Sequence, residues 1–275
     1  FAKTLMAYQL LLNLNLEDAN GIKTDFSGGT DVPFATKAQS FTFINTLLDD
    51  ANTALGTAGS TFPFKLTSGF SGFDTPSNFI KFNRALKARA AVYNDDFTTA
   101  LTALGSSFLS TSASMNLGVF FVYSTASNDL LNTIYESPTA SFVKFRAHKS
   151  FKTSAEVGDT RYTGKVVVTA DSALFNGLQT NLSVNVFKTA TDPFPVIRNE
   201  ELILLRAEAN IGLGNLGPAQ ADINVVRAAA GLGTVGAFAN AAAALTQLLH
   251  EKQYSLFCEG YRWIDMRHYG KLASL

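Results

Sequence analysis

Apolar residues recur at helical spacing along the first 60 residues and predict two amphipathic helices. In the first 16 residues the spacing is three or four positions, as on one face of a helix, and the residues are Leu5, Tyr8, Leu12 and Leu16. A second stripe between residues 36 and 59 consists of Phe41, Ile44, Leu47, Leu48 and Leu55. Gly56 and Gly59 follow it, and glycine favours a helix end.

The middle of the chain predicts loops, helices and short strands in turn. Residues 60–79 interleave aromatics with Gly, Ser and Pro and are expected to form a loop. Residues 76–108 predict two helices with a break at Asn94-Asp95. Between 115 and 193, the β-branched and aromatic runs MNLGVFFVYS and KVVVTADS predict strands, with a turn at Gly158-Asp159. Helices return after Pro195.

Residues 86–101 and 205–222 share a layout. Leu86 corresponds to Leu205 and Lys87 to Arg206, and in both stretches small residues precede a short turn. Small residues on one helix let the next helix approach closely, as in tetratricopeptide-type pairs. We therefore predict a mainly α chain of tetratricopeptide-like helical hairpins, with loops and short strands inserted.

The stretch HEKQYSLFCEGYRWIDMRHYGKL, residues 250–272, gathers charges around the only tryptophan, although just 16% of the chain is charged. As one helix at about 100° per residue, it centres an apolar face on Leu245, Leu249, Lys252, Leu256 and Trp263. Glu251 lies on the flank, where Glu259, Arg262 and Asp265 follow at spacings that allow pairing. We interpret these charges as a structural ion network with Trp263 in the core, so Arg262→Ala should unfold or weaken the protein.

Motifs of catalysis and cofactor binding occur only in unsuitable contexts. GLGNLG, residues 212–217, follows a predicted helix rather than the strand that a dinucleotide site needs, and is interpreted as a hairpin turn. HEKQY, residues 250–254, ends in Tyr254 where a second zinc ligand would stand, so we expect neither metal nor cofactor. Acidic pairs such as Asp49-Asp50 lie near helix ends or turns. They do not predict the two facing carboxylates that glycoside hydrolysis needs. A helical glycoside-processing enzyme is therefore the least favoured of the alternative functions.

Composition narrows the class of protein. Lys and Arg together number 22, as do Asp and Glu, so nothing favours nucleic-acid binding. Low charge is typical of secreted and cell-surface proteins. The single cysteine, Cys258, is expected to be a buried structural thiol. No run of 18 apolar residues predicts a transmembrane helix. The chain opens within a helix and shows no signal peptide, so we expect a processed or incompletely covered N-terminus.

Three segments carry a resemblance to a known family. The terminal segment has a characteristic order and spacing of charged and apolar residues: Glu251, Lys252, Leu256, Glu259, Gly260, Arg262, Asp265, Met266 and Arg267. This pattern resembles E-R-x-x-E-L-x-x-E-G-x-R-x-x-D-L-x-R of SusD/RagB-type outer-membrane nutrient-binding lipoproteins, with Lys252 for Arg and Ser255 for Glu. Upstream, RAEA at 206–209 and the Asp-x-Arg of GDTRYTGK at 158–165 are also similar to the family.

The resemblance implies a single SusD-like helical domain over residues 1–275, lacking the family's N-terminal segment with its lipid-modified cysteine. It implies a place on the outer face of a Gram-negative outer membrane, held only by that lipid anchor. There the protein would bind oligosaccharides, or peptides in some members, and pass them to a SusC-like TonB-dependent barrel. It implies no enzymatic activity. Arg206 and Glu208 would join Glu251, Glu259, Arg262 and Asp265 in the ion network.

Candidate ligand contacts lie on loops, where aromatic faces and amide groups can grip a sugar. The loop over residues 60–79 offers Phe62, Phe64, Phe70, Phe73 and Asn78, and a second segment offers Tyr123 and Asn128. The alternative is that the phenylalanines only pack the loop onto the helices. Phe, with 23 residues, far outnumbers Tyr and Trp, which does not favour a sugar platform. A structural or assembly subunit of the same fold, without ligand binding, is therefore the second hypothesis.

Overall fold

The computed structural model describes residues 1–28, 32–137, 140, 145–175 and 177–275. Its α-helices are α1 Ala2–Glu17, α2 Lys37–Gly56, α3 Pro76–Tyr93, α4 Phe97–Gly105, α5 Ser150–Thr153, α6 Thr160–Lys165, α7 Asn199–Gly212, α8 Leu216–Ala229, α9 Ala241–Ser255 and α10 Arg262–His268. Its strands are β1 Gly118–Phe121, β2 Val166–Phe175, β3 Leu178–Val184 and β4 Phe194–Arg198. Short 3-10 helices cover Asp18–Asn20, Ser68–Phe70 and Leu272–Ser274.

Local sequence sets the point at which several helices begin. At α2, the Thr36 hydroxyl accepts from the Gln39 backbone N–H while the Gln39 side chain accepts from the Thr36 N–H. Thr75 and Asn240 cap α3 and α9 by accepting from the backbone N–H three residues later. Pro76 occupies the first turn of α3, where its missing N–H costs nothing. These starts follow from residue types visible in the sequence.

Neighbouring helices pack as the hairpins that the sequence predicted. α1 packs on α2, α2 on α3 and α3 on α4, while α4 packs on α7, which also contacts α8 and α9. Asp95, with φ 56°, separates α3 from α4, and Gly214, with φ 77°, separates α7 from α8. GLGNLG is thus a hairpin turn. The predicted mainly α chain of helical hairpins with short inserted strands is confirmed.

The core is built where hairpin helices cross closely. Ala85, Ala88, Ala207 and Ala209 are fully buried, and their small side chains allow this approach. A second, smaller apolar cluster contains Phe151, Val166, Leu182 and Tyr254 and holds the strand region against α9. That the whole chain forms one domain stays a prediction.

The strands form two separate antiparallel pairs among the described residues. β1 pairs with β4, with Gly118 opposite Arg198. β2 pairs with β3, with Val166 opposite Val184 and an irregular register between Val168 and Ala173. Both segments predicted to contain strands therefore do so.

The terminal stretch is two helices rather than the single one predicted. α9 ends at Ser255 and α10 begins at Arg262. Between them, Cys258 and Gly260 have φ of 65° and 87°, and a right-handed helix cannot continue through left-handed backbone. The apolar face predicted over residues 245–263 is therefore divided between two directions, and Cys258 is half-buried.

Gly118 lies where β1 and β4 approach closely. A Cβ at this position would lie 2.3 Å from the Ile197 carbonyl oxygen and 2.7 Å from the Arg198 Cα. Gly118→Ala should force the strands apart and lower the free energy of unfolding by about 1–3 kcal/mol, measured by urea denaturation.

Gly217→Ala in α8 is the matched control, because nothing lies within 4 Å of its Cβ position. It should be neutral or stabilise by up to about 1 kcal/mol. A Gly118→Ala protein as stable as wild type would contradict the close approach of the strands.

Candidate functional site

The charged side chains of the terminal signature lie inside the protein. Glu251, Lys252 and Asp265 are all buried. An unpaired charge in the interior is strongly destabilising, so each needs an opposite charge. Every one of these three is paired with a charge from another segment of the chain.

Glu251 is shared by two guanidinium groups. Its Oε2 accepts from Arg161 Nη1 at 2.6 Å, and its Oε1 accepts from Arg227 Nη1 and Gln247 Nε2, each at 2.7 Å. Arg161 also pairs with Asp159 at 2.7 Å. Glu251 therefore ties α9 to α8 and to α6, the short helix that leads into β2.

Two further clusters extend this network. Arg198 Nη2 lies 2.7 Å from Glu259 Oε1, joining the end of β4 to the segment between α9 and α10. Lys252 Nζ lies 2.6 Å from Asp265 and 3.0 Å from Glu208, joining α9, α10 and α7. Burial alone would lower the pKa of Lys252, but Asp265 and Glu208 outweigh it and raise that pKa, so the amine stays charged.

The α7 hairpin adds pairs of its own. Arg206 pairs with Asp222 of α8 at 2.5 Å. Arg89 of α3 pairs with Glu201 of α7 at 2.6 Å, and the Tyr261 hydroxyl donates to the same carboxylate at 3.0 Å. Sequence analysis did not assign the cationic partners Arg89, Arg161, Arg198 and Arg227. Their bonds to Glu201, Glu251 and Glu259 span 24 to 112 positions, beyond the reach of helical spacing.

Arg262 does not belong to this network. Its predicted pairs with Glu259 and Asp265 do not form, because those acids bind other cations. Arg262 Nη1 instead donates to the Leu249 carbonyl oxygen at 3.1 Å. It makes no salt bridge with any residue of the described ranges. The expectation that Arg262→Ala breaks a buried ion pair is therefore wrong.

The interior position of the carboxylates bears on enzymatic activity. Glu251 and Glu259, the best acid–base candidates by residue type, are bound by guanidinium groups and cannot face each other across a sugar. Within the described part of the chain, no group of three or more His, Cys, Asp or Glu residues is placed to hold a metal ion. None of the helices described there is both long and apolar enough to cross a bilayer.

Loop 60–79 packs most of its aromatic rings. The rings of Phe62, Phe64 and Phe70 lie 5.2 to 6.1 Å from the ring of Phe1, centroid to centroid. Phe73 is only 3% exposed and belongs to the main core, so it presents no face to a ligand. Phe64 remains 47% exposed. The loop therefore offers one open ring, and its other phenylalanines serve packing.

The second predicted segment lies against this loop. A Cβ at Gly69 would come within 2.0 Å of the Phe120 carbonyl oxygen, so the loop backbone touches β1. Tyr123, just beyond β1, is half-buried, and Asn128 is exposed. Asn78 is half-buried in the first turn of α3. We refer to the surface of residues 60–79 and 118–128 as the loop platform.

Trp263 is 58% exposed, so its assignment to the core is wrong. The break after Ser255 turns α10 so that Asp265 and Met266 are buried while Trp263 lies at the surface. It lines a cavity of about 580 Å³ between α9, α10 and the start of β3, which we call the Trp263 hollow. The glycine of the Cys-Glu-Gly step was the sequence signal for this break.

The Lys165 amine caps the end of α9. It donates to the carbonyl oxygens of Tyr254 at 2.7 Å and Ser255 at 2.5 Å, two groups that the helix leaves unpaired. No carboxylate of the described residues forms a salt bridge with it. Burial, reinforced by the charge of Arg198, lowers the pKa of Lys165 to about 8.

The SusD family model matches residues 154–273, the part of the chain that contains most of the ion network. This match confirms the predicted resemblance to SusD/RagB proteins. A comparison with curated proteins found no match.

Solved structures share the fold across nearly the whole chain. A SusD superfamily protein from Bacteroides fragilis matches with a TM-score of 0.74 and 15% identity, over 96% of this chain and 67% of that one. A laminarin binding SusD-like protein matches with a TM-score of 0.70 and 18% identity, over 99% of this chain and 70% of that one. Surface glycan-binding protein A from Bacteroides thetaiotaomicron, in complex with laminarihexaose, matches with a TM-score of 0.68 and 15% identity. The match covers 99% of this chain and 69% of that one. Such identities show the fold alone, and the chain spans about two thirds of these proteins.

The ion network makes a prediction for stability. Arg161→Met removes a cationic partner from the buried carboxylates of Glu251 and Asp159. The free energy of unfolding, measured by urea denaturation, should therefore fall by about 3–5 kcal/mol. Lys3→Met is the control, because Lys3 pairs with Asp50 on the surface and should matter by less than about 1 kcal/mol. Arg262→Ala should lose only about 1 kcal/mol, for one hydrogen bond. Equal stability of Arg161→Met and wild type would refute the network's role.

Lys165 makes a prediction for pH dependence. It loses its proton near pH 8 in the folded protein and near 10.5 when unfolded. Between these values the unfolded chain binds more protons, so this group increases stability as pH rises and decreases it as pH falls. The stability of wild type relative to Lys165→Met should therefore grow from about pH 8 toward 10.5 in denaturation curves.

Lys152→Met, at an exposed position, is the control and should follow wild type in parallel across this range. If the stability of Lys165→Met ran parallel to that of wild type from pH 8 to 10.5, the Lys165 amine would have the same pKa in the folded and the unfolded protein, which would contradict the prediction.

Proposed function

We propose that this protein is a cell-surface glycan-binding protein that works with a SusC-like TonB-dependent transporter, and that it is not an enzyme. The observation that carries the proposal is the family match over residues 154–273, joined to a SusD-like fold over the rest of the chain. One solved protein of this fold is a laminarin binding protein, and another is a surface glycan-binding protein in complex with laminarihexaose. The buried, paired carboxylates agree with a binding role rather than glycosidic cleavage.

The loop platform is the proposed ligand surface. Phe64 supplies an exposed ring for stacking on a sugar face, and Tyr123 supplies a ring with a hydroxyl. The amides of Asn78 and Asn128 can donate to and accept from sugar hydroxyls. An oligosaccharide fits these groups better than a peptide, because the surface offers rings and amides.

The transporter would receive the ligand at the outer membrane. We propose that an N-terminal lipid anchor holds the protein at the cell surface, as the family resemblance implies. Co-expression with the TonB-dependent barrel encoded nearest to it should yield a complex that elutes together in size-exclusion chromatography. Separate elution at micromolar concentrations would argue against that partnership.

A structural or assembly subunit without ligand binding is the second candidate. The packing of Phe62, Phe70 and Phe73 favours it, because these rings are largely used inside the protein. Self-association together with failure to bind any glycan would support this role over the first.

Glycan binding can be measured by isothermal titration calorimetry with laminarihexaose, after a glycan array has selected other ligands. Phe64→Ala should weaken binding of an array-positive glycan by about 2- to 10-fold, because it removes one stacking ring. Phe34→Ala, an exposed ring outside the loop platform, should leave affinity unchanged. Equal affinities of the Phe64→Ala protein and wild type would place the ligand elsewhere.

A further inference from the structure

The Trp263 hollow has the size and the wall of a ligand site. Its volume of about 580 Å³ lies within the roughly 300–1,000 Å³ typical of small-molecule pockets. Aromatic and aliphatic groups form most of its wall, with a few polar groups among them. The lining includes Phe257, Tyr261 and Trp263 together with His148, Gln253 and Arg262. Such a wall resembles the mixture of ring faces and hydrogen-bonding edges that binds sugars.

Trp263 is the exposed element of this wall. Its neighbours Asp265 and Met266 on α10 are buried, so the helix is anchored by other residues and Trp263 is not needed for packing. Because this exposed ring lines the cavity, it gives the cavity an apolar contact surface for a ligand. Its π-face can stack on the apolar face of a sugar ring.

Arg262, next to it, forms no salt bridge with any residue that the structure describes. Arg161, Arg198 and Arg227 are each paired with carboxylates, whereas Arg262 has one hydrogen bond to a carbonyl oxygen. A guanidinium has five N–H donors and matches a carboxylate in bidentate geometry. Burial lowers the pKa of Arg262, which shows that its cation is partly removed from water. An anionic ligand would restore the missing partner.

No acidic side chain lines the hollow among the described residues. The adjoining cavity, of about 590 Å³, shares His148 and Leu178 with it and is lined by Lys149 and Lys152. No acidic side chain of the described residues lines that cavity either. We call it the lysine cavity. The two cavities together form a path with positive charges at both ends.

We propose that the Trp263 hollow and the lysine cavity bind an acidic oligosaccharide, one made of uronic-acid residues. One sugar ring stacks on Trp263 and its carboxylate pairs with Arg262, while a following residue lies near Lys149 and Lys152. The choice of a glycan rests on the proposed function. The choice of an acidic one rests on the unpaired cations and the absence of acids in the described lining.

The chain contains a single tryptophan among eight tyrosines, so the tryptophan emission, excited selectively, reports on Trp263 alone. Trigalacturonate should change the Trp263 emission of the wild-type chain in a saturable titration, with an affinity that weakens as salt is raised from about 20 to 300 mM. Arg262→Gln should weaken the affinity for trigalacturonate by about 10-fold or more, since it removes a charged hydrogen-bond donor. Lys149→Gln with Lys152→Gln should weaken it further and reduce the salt dependence.

A matched control replaces two cations far from the cavities. Lys3→Gln with Lys81→Gln changes the net charge equally, on α1 and α3, and should leave trigalacturonate binding as in wild type. Trp263→Leu removes the fluorescent reporter, so its affinity is measured by calorimetry and should fall about 3- to 10-fold. Thermal melts of each variant check that the fold is kept.

The outcomes separate this proposal from the proposed function. If a neutral glycan binds but trigalacturonate neither changes the emission nor binds, the acidic site is refuted and glycan binding stands. Equal loss in the Lys3→Gln, Lys81→Gln protein would also refute it, because the effect would be one of net charge. If no glycan of either kind binds, the proposed function fails. If an acidic peptide, and no glycan, bound saturably to the Trp263 hollow, the hollow would be assigned to a protein partner. The proposal of an acidic oligosaccharide would then be refuted.

Discussion

The rest of the structure depends on the double pairing of Glu251. A carboxylate fully inside a protein requires compensation, and here Arg161 and Arg227 supply it from α6 and α8. Neither arginine can satisfy this acid unless its own element docks against α9. The same requirement acts at Arg198 with Glu259 and at Lys252 with Asp265. Buried charge therefore fixes how the terminal helices, the strand region and the α7–α8 hairpin meet.

The fold is shared with solved structures that are 12–18% identical to this chain. Apolar packing tolerates exchange among residues of similar volume, as the many buried alanines and leucines of the hairpins allow. A buried ion pair is less tolerant, because loss of one partner leaves the other charged and desolvated. The family match covers residues 154–273, where Arg161, Arg227 and Glu251 lie. The signature residues describe a scaffold more than a ligand site.

A scaffold held by interior charge leaves ligand contacts to the surface between its elements. The loop platform joins a loop between α2 and α3 to β1, and the Trp263 hollow lies where α9 gives way to α10. The proposed ligand contacts of the platform are rings and amides, whereas the hollow carries Arg262, which forms no salt bridge with a described residue. In our proposal, a neutral and an acidic sugar bind at these two separate places on the chain.

The sequence by itself determined the helices up to residue 108, the two hairpins and the segments containing strands, because spacing, caps and turn residues act locally. It also identified Glu251, Glu259, Asp265, Arg206 and Glu208 as charges of the interior network. Tertiary structure alone decided their partners, since Arg161 and Glu251 are 90 positions apart. It also decided that Arg262 lies outside the ion network and that Trp263 is exposed. The left-handed backbone at Cys258 and Gly260 changes the direction of the chain before α10, and a helical projection of the sequence assumes that no such change occurs.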